Sequence, residues 1–179
     1  MRFTPTSIPG AYVVEIDPVV DERGFFARSV CVVEFAAHGL DARFVQQSIS
    51  FNPREGTLRG LHYQAEPHGE EKLVRVTRGA VFDVVVDLRP ESPAYGSWAA
   101  AELSAENRRQ FYIPQGVAHG FQTILADTEV AYQMTVPFRA EAARGVRWDD
   151  PRLAIAWPSY SGRLISERDR ALPLLGERP

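Results

Sequence analysis

Apolar residues are concentrated in short runs that are rich in β-branched and aromatic side chains, and the polar positions between the runs carry Gly, Pro, Asp and Asn. Runs of this length and composition, bounded by turn residues, are typical of β-strands. Their regular recurrence predicts an all-β sandwich or barrel. The predicted strands are AYVVEI (11–16), GFFARSV (24–30), RFVQQSISF (43–51), TLRGLHYQ (57–64), KLVRV (72–76), AVFDVVVDL (80–88), SWAAAEL (97–103), QFYI (110–113), HGFQTIL (119–125), EVAYQMTV (129–136), GVRW (145–148) and LAIAW (153–157).

Helical character is weak and is confined to two segments. CVVEFAAHG (31–39) predicts a short helix that ends at Gly39. SERDRALPLL (166–175) begins with Ser166, a candidate N-cap, before Pro173 interrupts it. We expect both to pack outside the β core. No linker rich in Pro, Gly and Ser divides the 179 residues, which are expected to form one domain, residues 1–179.

Composition narrows the classes of partner. With 45% hydrophobic residues, 24% charged residues and a formal net charge of −3, the chain offers no bulk attraction to nucleic acids or anionic membranes. The start, MRFTPTSIPG, lacks the apolar run of a signal peptide. A single cysteine, Cys31, rules out an intrachain disulfide and fits a reducing compartment. We expect a cytoplasmic protein that binds neither nucleic acid nor membrane.

The segment TLRGLHYQAEPHGEEKLVRV (57–76) places an arginine, a histidine and a lysine among apolar residues that are expected to be buried. Burying such groups costs several kcal/mol unless something compensates, so the segment is a candidate site. Together with IPQGVAHGF (113–121), it resembles the two motifs of the cupin superfamily, a double-stranded β-helix (jelly roll) whose histidine strands line the barrel mouth. The resemblance implies a jelly roll with a few short peripheral helices.

A metal site is one interpretation of these motifs. In metal-binding cupins the first motif supplies His-x-His and a glutamate, because a divalent ion needs three or four converging nitrogen and oxygen ligands. In this chain Gln64 replaces the second histidine. A set made of His62, one glutamate and His119 remains arithmetically possible. We expect no metal and no cofactor, and the metal content of the purified protein would distinguish the two cases.

A closer resemblance extends over nearly the whole chain. The segments resemble, in order, those of the dTDP-4-dehydrorhamnose 3,5-epimerase (RmlC) family, which is metal-independent. They are DERGFF (21–26), GTLRGLHYQ (56–64), EKLVRVTRGAVFDVVVDLR (71–89), SPAYGSW (92–98), IPQGVAHGF (113–121), EVAY (129–132), RGVRWDDP (144–151), IAWP (155–158) and ISERD (165–169).

The resemblance implies four catalytic residues for epimerisation beside the ketone of a nucleotide-linked 4-keto-6-deoxy sugar. Such a reaction needs a base on one face of the sugar, stabilisation of the enolate oxygen and an acid on the other face. His62 resembles the base, and Asp169 the carboxylate that orients it and favours its protonated form. Lys72 resembles the lysine that stabilises the oxyanion, and Tyr132 the acid on the opposite face.

The resemblance also implies a set of substrate contacts. Guanidinium groups suit a diphosphate because they are forked, permanently charged donors. The implied binding residues are Arg23, Phe26, Gln46, Gln47, Arg59, His119, Phe138 and Arg168. Which of Gln46 and Gln47 matches the nucleotide contact stays open, because the alignment there differs by one residue.

Several of these residues also have a purely structural interpretation. A single histidine on a strand is usually a hydrogen-bonded structural group, which applies to His119 more than to His62. Tyr132 by itself would be a core tyrosine, and Asp169 by itself a carboxylate in the first turn of a helix.

The chain departs from the family pattern at positions that bear on nucleotide and sugar recognition more than on proton transfer. Arg28 and Ala143 stand where the family usually has glutamate, Ser48 stands where its Q-x-N stretch has asparagine, and Phe138 replaces a tyrosine. The leading substrate is dTDP-4-dehydro-6-deoxy-D-glucose, in dTDP-L-rhamnose or related deoxysugar biosynthesis. Another nucleotide-linked 4-keto sugar, or inversion of only one carbon, is equally compatible with the residues.

Three other functions remain open: a sugar-nucleotide ketoisomerase, a non-catalytic sugar-nucleotide-binding cupin and, last, a metal-dependent cupin oxygenase. The resemblance further implies a homodimer in which N-terminal strands, about residues 1–50, join the partner's sheet and bring Arg23 to the neighbouring substrate.

Overall fold

The regular structure of the chain consists mainly of antiparallel β-strands, as the short apolar runs predict. The structure is a computed structural model that describes residues 1–177, so the last two residues of the predicted domain 1–179 lie outside it. The strands are β1 (Arg2–Pro5), β2 (Tyr12–Glu15), β3 (Val19–Asp21), β4 (Gly24–Phe26), β5 (Gln46–Asn52), β6 (Leu58–Gln64), β7 (Lys72–Arg78), β8 (Ala80–Asp87), β9 (Trp98–Ser104), β10 (Gln110–Ile113), β11 (Val117–Thr123), β12 (Thr128–Met134) and β13 (Ala143–Gly145).

Two large antiparallel sheets form a sandwich, which confirms the predicted jelly-roll class. The larger sheet has the order β1-β2-β10-β7-β12-β5, and the smaller has the order β13-β6-β11-β8-β9. Apolar residues from both sheets meet between them, for example Val74 and Phe111 from the larger sheet with Val85 and Phe121 from the smaller one. This shared core fixes the distance between the two sheets, and therefore the relative positions of the polar side chains at the end of the sandwich.

The pleat of the strands explains why polar side chains share the inner face with the core. Side chains alternate between faces with a period of two. Lys72 therefore points to the same side as the core residues Val74 and Val76, and Tyr132 shares its side with the core residue Val130. The inner face is apolar over most of its length and polar at one end, where a cavity opens.

Strand β6 follows the same alternation. Leu61 and Tyr63 belong to a second apolar cluster on the outer side of the smaller sheet, so His62 and Gln64 face inward. The outer cluster is covered by the segment that follows β13, including Leu153 and the ring of Trp157. The C-terminal part of the chain thus protects the back of the strand that carries His62.

The two predicted helices are present. Helix α1 (Val32–Ala37) is followed by Gly39 at φ +72°, the left-handed conformation that favours glycine. Helix α2 (Glu167–Arg170) begins after Ser166, whose hydroxyl accepts a hydrogen bond from the Asp169 amide at 3.1 Å. A single 3₁₀ turn, Ala140–Ala142, precedes β13. Among the helices within residues 1–177, none has the length and apolarity needed to cross a membrane.

The predicted strands GVRW (145–148) and LAIAW (153–157) are wrong. Only Gly145 of the first belongs to a strand, and the second is a turn segment in which Leu153 and Ala154 donate to the carbonyl of Asp150. Their apolar side chains are buried against the outer side of the smaller sheet. These segments are hydrophobic because they cover a sheet, although they do not form strands of it. The short strands β1 and β3 were not predicted.

Strands β3 and β4 form an isolated two-stranded ribbon apart from the sandwich. The ribbon is apolar and exposed: Val19 is 72% exposed, Val20 73% and Phe26 80%. Its turn carries Arg23, whose side chain binds Asp21 at 2.5 Å and is otherwise in solvent. An apolar ribbon of this kind offers an interaction surface on the N-terminal part of the chain.

Candidate active site

The polar end of the sandwich encloses a cavity of about 500 Å³, within the usual range for small-molecule sites. Strands β5, β6, β7 and β12 form its walls, and helix α2 closes one side. Eight of the twelve residues proposed from the sequence line it: Gln46, Arg59, His62, Lys72, Tyr132, Phe138, Arg168 and Asp169. These residues come from segments as far apart as β5 and α2, so the fold brings together what the sequence separates.

His62 and Asp169 form a hydrogen-bonded pair. The distance from His62 Nε2 to Asp169 Oδ1 is 2.7 Å, and Asp169 Oδ2 accepts the Gly60 amide at 3.3 Å. Burial alone would raise the pKa of Asp169, but the His62 imidazole, the Gly60 amide and the Ser166 side chain together outweigh it and hold this pKa below its usual value. With Nε2 donating to a carboxylate, Nδ1 carries the lone pair of the neutral imidazole. Because 42% of the His62 side chain is exposed, this nitrogen is accessible to a ligand.

Tyr132 lies across the cavity on the opposite sheet. Burial, followed by the negative charge of Asp83, raises the pKa of Tyr132 above its usual value, so the phenol stays protonated near neutrality. The Tyr132 ring makes an edge contact with His119, with ring centroids 5.9 Å apart. Tyr132 and His62 thus line one cavity from opposite sheets, which is the arrangement that an acid and a base acting on two faces of a ligand would need.

His119 is not brought to the cavity wall. It lies beneath Tyr132, where its Nε2 is 2.9 Å from Oδ2 of Asp83, and both side chains are buried. Burial raises the pKa of Asp83, and the nearby imidazole opposes part of that rise. The pair supports Tyr132 from the interior of the sandwich.

Gln64 stands where a metal-binding cupin has its second histidine, and Glu70 is a glutamate that follows it in the chain. Here the Gln64 amide donates to Glu70 at 3.2 Å, and Glu70 binds the Lys72 ammonium at 3.0 Å. Within residues 1–177 no three His, Cys, Asp or Glu side chains converge as a ligand set. The remaining donors around His62 therefore do not fit a divalent ion.

The cavity has an excess of positive charge. Four cationic side chains line it, Arg59, Lys72, Arg144 and Arg168, against the two carboxylates of Glu70 and Asp169. Arg59 is held by the buried Asn52, whose Oδ1 accepts from Arg59 Nε at 2.8 Å. An excess of two positive charges at the open side suits an anionic group such as a diphosphate.

The register of β5 settles the choice between two adjacent glutamines. Gln46 pairs with Met134 and Ser48 with Tyr132, and all four line the cavity. Gln47 pairs with Gln133 and lies on the opposite face of the sheet. Gln46 is therefore the glutamine that can contact a ligand in this cavity.

Arg23 and Phe26 are also absent from the cavity wall, because both lie on the β3–β4 ribbon.

Three residues in or beside the cavity, Arg144, Glu70 and Asp83, were not proposed from the sequence as site residues. For Asp83 a signal existed: a carboxylate at an inward position of the apolar run AVFDVVVDL must have a buried partner. Arg144 carried no comparable signal, because a surface arginine before a glycine is common.

Comparison with known proteins shows which family the sequence and the fold resemble. The sequence model of the dTDP-4-dehydrorhamnose 3,5-epimerase family matches residues 5–177. A dTDP-4-dehydrorhamnose 3,5-epimerase of Methanothermobacter thermautotrophicus is 46% identical, with 99% of this chain and 96% of the relative covered. A dTDP-4-dehydrorhamnose 3-epimerase of Streptomyces niveus is 39% identical, with 99% and 85% covered.

Among solved structures, the 3,5-epimerase of Bacillus anthracis with TDP and pyrophosphate bound is 40% identical and superposes with a TM-score of 0.92, covering 97% of this chain and 99% of the other. The similarity therefore extends over the whole fold and not over the two histidine motifs alone.

Proposed function

The chain belongs to the dTDP-4-dehydrorhamnose 3,5-epimerase family, and from this membership we propose that it epimerises a nucleotide-diphospho-4-keto-6-deoxy sugar without a metal. The reaction breaks and remakes a C–H bond next to the C4 ketone. The observation that carries the proposal is the His62–Asp169 pair in one cavity with Lys72 and Tyr132, where a base, an oxyanion donor and an acid face a common space.

The proton transfers balance in the following way. His62 Nδ1 removes the proton from the carbon beside the ketone. The electron pair of the C–H bond forms a double bond to C4, and the π pair of the ketone moves onto O4 to give an enolate. The Lys72 ammonium stabilises the negative oxygen. Tyr132 donates its phenolic proton to the same carbon from the other face, and the enolate returns to the ketone with inverted configuration. Asp169 stabilises the imidazolium formed on His62, and exchange with solvent restores both groups.

The substrate proposed is dTDP-4-dehydro-6-deoxy-D-glucose. The relatives named above act on dTDP-linked sugars, and the unpaired arginines of this cavity suit a diphosphate. Inversion at C3 alone is the second possibility, because one relative is named a 3-epimerase. Ala143 and Phe138, which differ from the usual family residues, both line the cavity. Ala143 enlarges the cavity, and Phe138 lacks the hydroxyl of the usual tyrosine, where the sugar would bind.

Product analysis tests this function. We expect the protein to convert dTDP-4-dehydro-6-deoxy-D-glucose to a sugar with inverted C3, or inverted C3 and C5, that still has its ketone at C4, as read by NMR. CDP- and GDP-linked sugars serve as comparisons. A product with the ketone at C3 would indicate a ketoisomerase, and tight binding with no conversion would indicate a binding module.

The protein is proposed to act as a homodimer. The exposed apolar β3–β4 ribbon supports a second copy as its partner, because the family resemblance implies that N-terminal strands complete the neighbouring site. Arg23, which lies in the turn of this ribbon and away from the cavity of its own chain, would then contact the substrate bound to the other subunit.

A cytoplasmic location is also proposed for the protein, since its single cysteine, Cys31, is free, which fits a reducing compartment.

Mixing two inactive variants tests the shared site. Arg23→Ala and His62→Asn subunits, refolded together in equal amounts, should recover about a quarter of the wild-type activity, because half of the randomly formed dimers contain one intact site of two. Refolding each variant alone is the control. If Arg23 serves the cavity of its own chain, or if the protein is a monomer, mixing will restore no activity.

A further inference from the structure

Glu70 is a carboxylate of the cavity that the proton transfers described above do not use. Its Oε1 is 3.0 Å from Lys72 Nζ, and only 8% of the Glu70 side chain and 11% of the Lys72 side chain are exposed. A buried ion pair loses the hydration of both ions and is retained only where its geometry is good. Its presence beside the presumed oxyanion donor calls for a functional reason.

Glu70 is itself fixed by Gln64. The Gln64 amide donates to Glu70 Oε2 at 3.2 Å and to the carbonyl of His68 at 3.2 Å, and its oxygen accepts the Arg139 amide at 2.5 Å. Gln64 is 4% exposed and bound at both ends, so it cannot rotate without losing buried hydrogen bonds. The carboxylate that it holds is therefore a rigid acceptor.

The Lys72 ammonium has three donors, and two of them are occupied. One faces Glu70 Oε1 at 3.0 Å, and another faces the carbonyl oxygen of His62 at 3.4 Å. A lysine ammonium is normally free to rotate on a flexible stem. With two donors engaged by Glu70 and the His62 carbonyl, the direction of the third is fixed, and Lys72 lines the cavity.

We propose, on the basis of the epimerase function, that Glu70 is a positioning residue that fixes the orientation of the Lys72 ammonium so that its third N–H points at the substrate's C4 oxygen. The His62 carbonyl takes part in the same arrangement, which ties the oxyanion donor to the strand that carries the base. The base and the donor are thereby held at a constant separation, as a near-attack geometry requires.

Of the cationic side chains in the cavity, Lys72 is paired with a carboxylate and the arginines, in the part of the chain that the structure describes, are not, which agrees with this role for Glu70. An ammonium already paired with a carboxylate is a weak site for a diphosphate. Arg59, Arg144 and Arg168 have no carboxylate partner within residues 1–177 and retain their full charge for the phosphates. Glu70 therefore acts on the reacting oxygen and not on nucleotide affinity. Gln64, which stands where metal-binding cupins have a histidine, here holds the carboxylate that orients the ammonium.

Glu70→Gln tests the inference, because it keeps the shape of the side chain and removes the charge. We expect kcat for the 4-keto sugar to fall about 10- to 100-fold, the loss typical of a misplaced catalytic group. The Kd for dTDP should stay at its wild-type value, whereas the urea midpoint of unfolding should fall, because the substitution leaves the buried Lys72 ammonium without its carboxylate. In a Lys72→Met background the same substitution should have no further effect on kcat, because Glu70 acts only through Lys72.

Glu71→Gln is the matched control. Glu71 is the next residue, accepts hydrogen bonds from Gln115 and Thr135, and does not line the cavity. The kcat of the Glu71→Gln variant should therefore equal that of the wild type. If Glu70→Gln fails to fold, Glu70→Asp, which keeps the charge and retracts it, should show the same lowered kcat with unchanged dTDP affinity.

Three results would overturn the inference while the proposed function stands. They are a Glu70→Gln variant with wild-type kcat, a further loss in the Lys72→Met background, and a loss of kcat of more than about 100-fold, beyond that of a misplaced group, which would make Glu70 a proton-transfer group. A wild-type protein that converts no 4-keto sugar would instead refute the proposed function, and the inference with it.

Discussion

His62→Asn is expected to lower the rate of epimerisation by about 10²- to 10⁴-fold, the contribution usual for a general base. Asparagine keeps a polar group on the cavity wall, but its amide is too short to replace the hydrogen bond from His62 Nε2 to Asp169. It has no lone-pair nitrogen that can accept a proton from carbon. Hydrogen exchange at C3 of the bound sugar should stop together with product formation, as followed by NMR in deuterium oxide.

A second histidine provides the control for this substitution. His38 lies at the end of α1, outside the cavity, and His38→Asn should exchange and invert at the wild-type rate. Binding of dTDP should be unaffected in both variants, because the diphosphate is assigned to the arginines. Exchange at C3 that continues at the wild-type rate in His62→Asn would show that another group removes the proton.

Tyr132→Phe should separate exchange from inversion. His62 can remove the C3 proton and return a solvent deuteron to the same face without any help from Tyr132. Inversion needs a donor on the other face, and the phenol is the group that burial keeps protonated there. We expect deuterium to enter recovered substrate of unchanged configuration, while epimer formation falls by about 10²- to 10⁴-fold.

Tyr12→Phe serves as the control, because Tyr12 lies on β2 in a different cluster of the larger sheet and not in the cavity. This variant should invert as fast as the wild type. If Tyr132→Phe still inverts at the wild-type rate, the proton on the second face comes from water or from another residue. If it loses exchange together with inversion, Tyr132 takes part in the first proton transfer and the assignment of two faces is incorrect.

The strands of the fold could be predicted because their information is local. Runs such as AVFDVVVDL and QFYI contain the β-branched and aromatic residues of buried strands, and the structure has β8 and β10 there. LAIAW has the same composition and was predicted as a strand for that reason. It lies instead as a turn over the outer side of a sheet, because apolar composition reports burial and does not report backbone pairing.

The site could be predicted from the sequence only in part. His62 and Asp169 are separated by 107 residues, and no spacing rule could have paired them; the family resemblance did. The distinction between Gln46 and Gln47 depends on which face of β5 points inward, and a shift of one residue in register reverses that choice. The contact of Glu70 with Lys72 needed coordinates, because two oppositely charged residues on one segment more often form a solvated surface pair.

The most direct test of the central claim is the wild-type reaction with dTDP-4-dehydro-6-deoxy-D-glucose in deuterium oxide, analysed by NMR of the product. The mechanism predicts one deuterium at each inverted carbon beside C4, with the ketone still at C4. An inverted product that retains its original hydrogen at that carbon would contradict the removal and return of a proton by His62 and Tyr132.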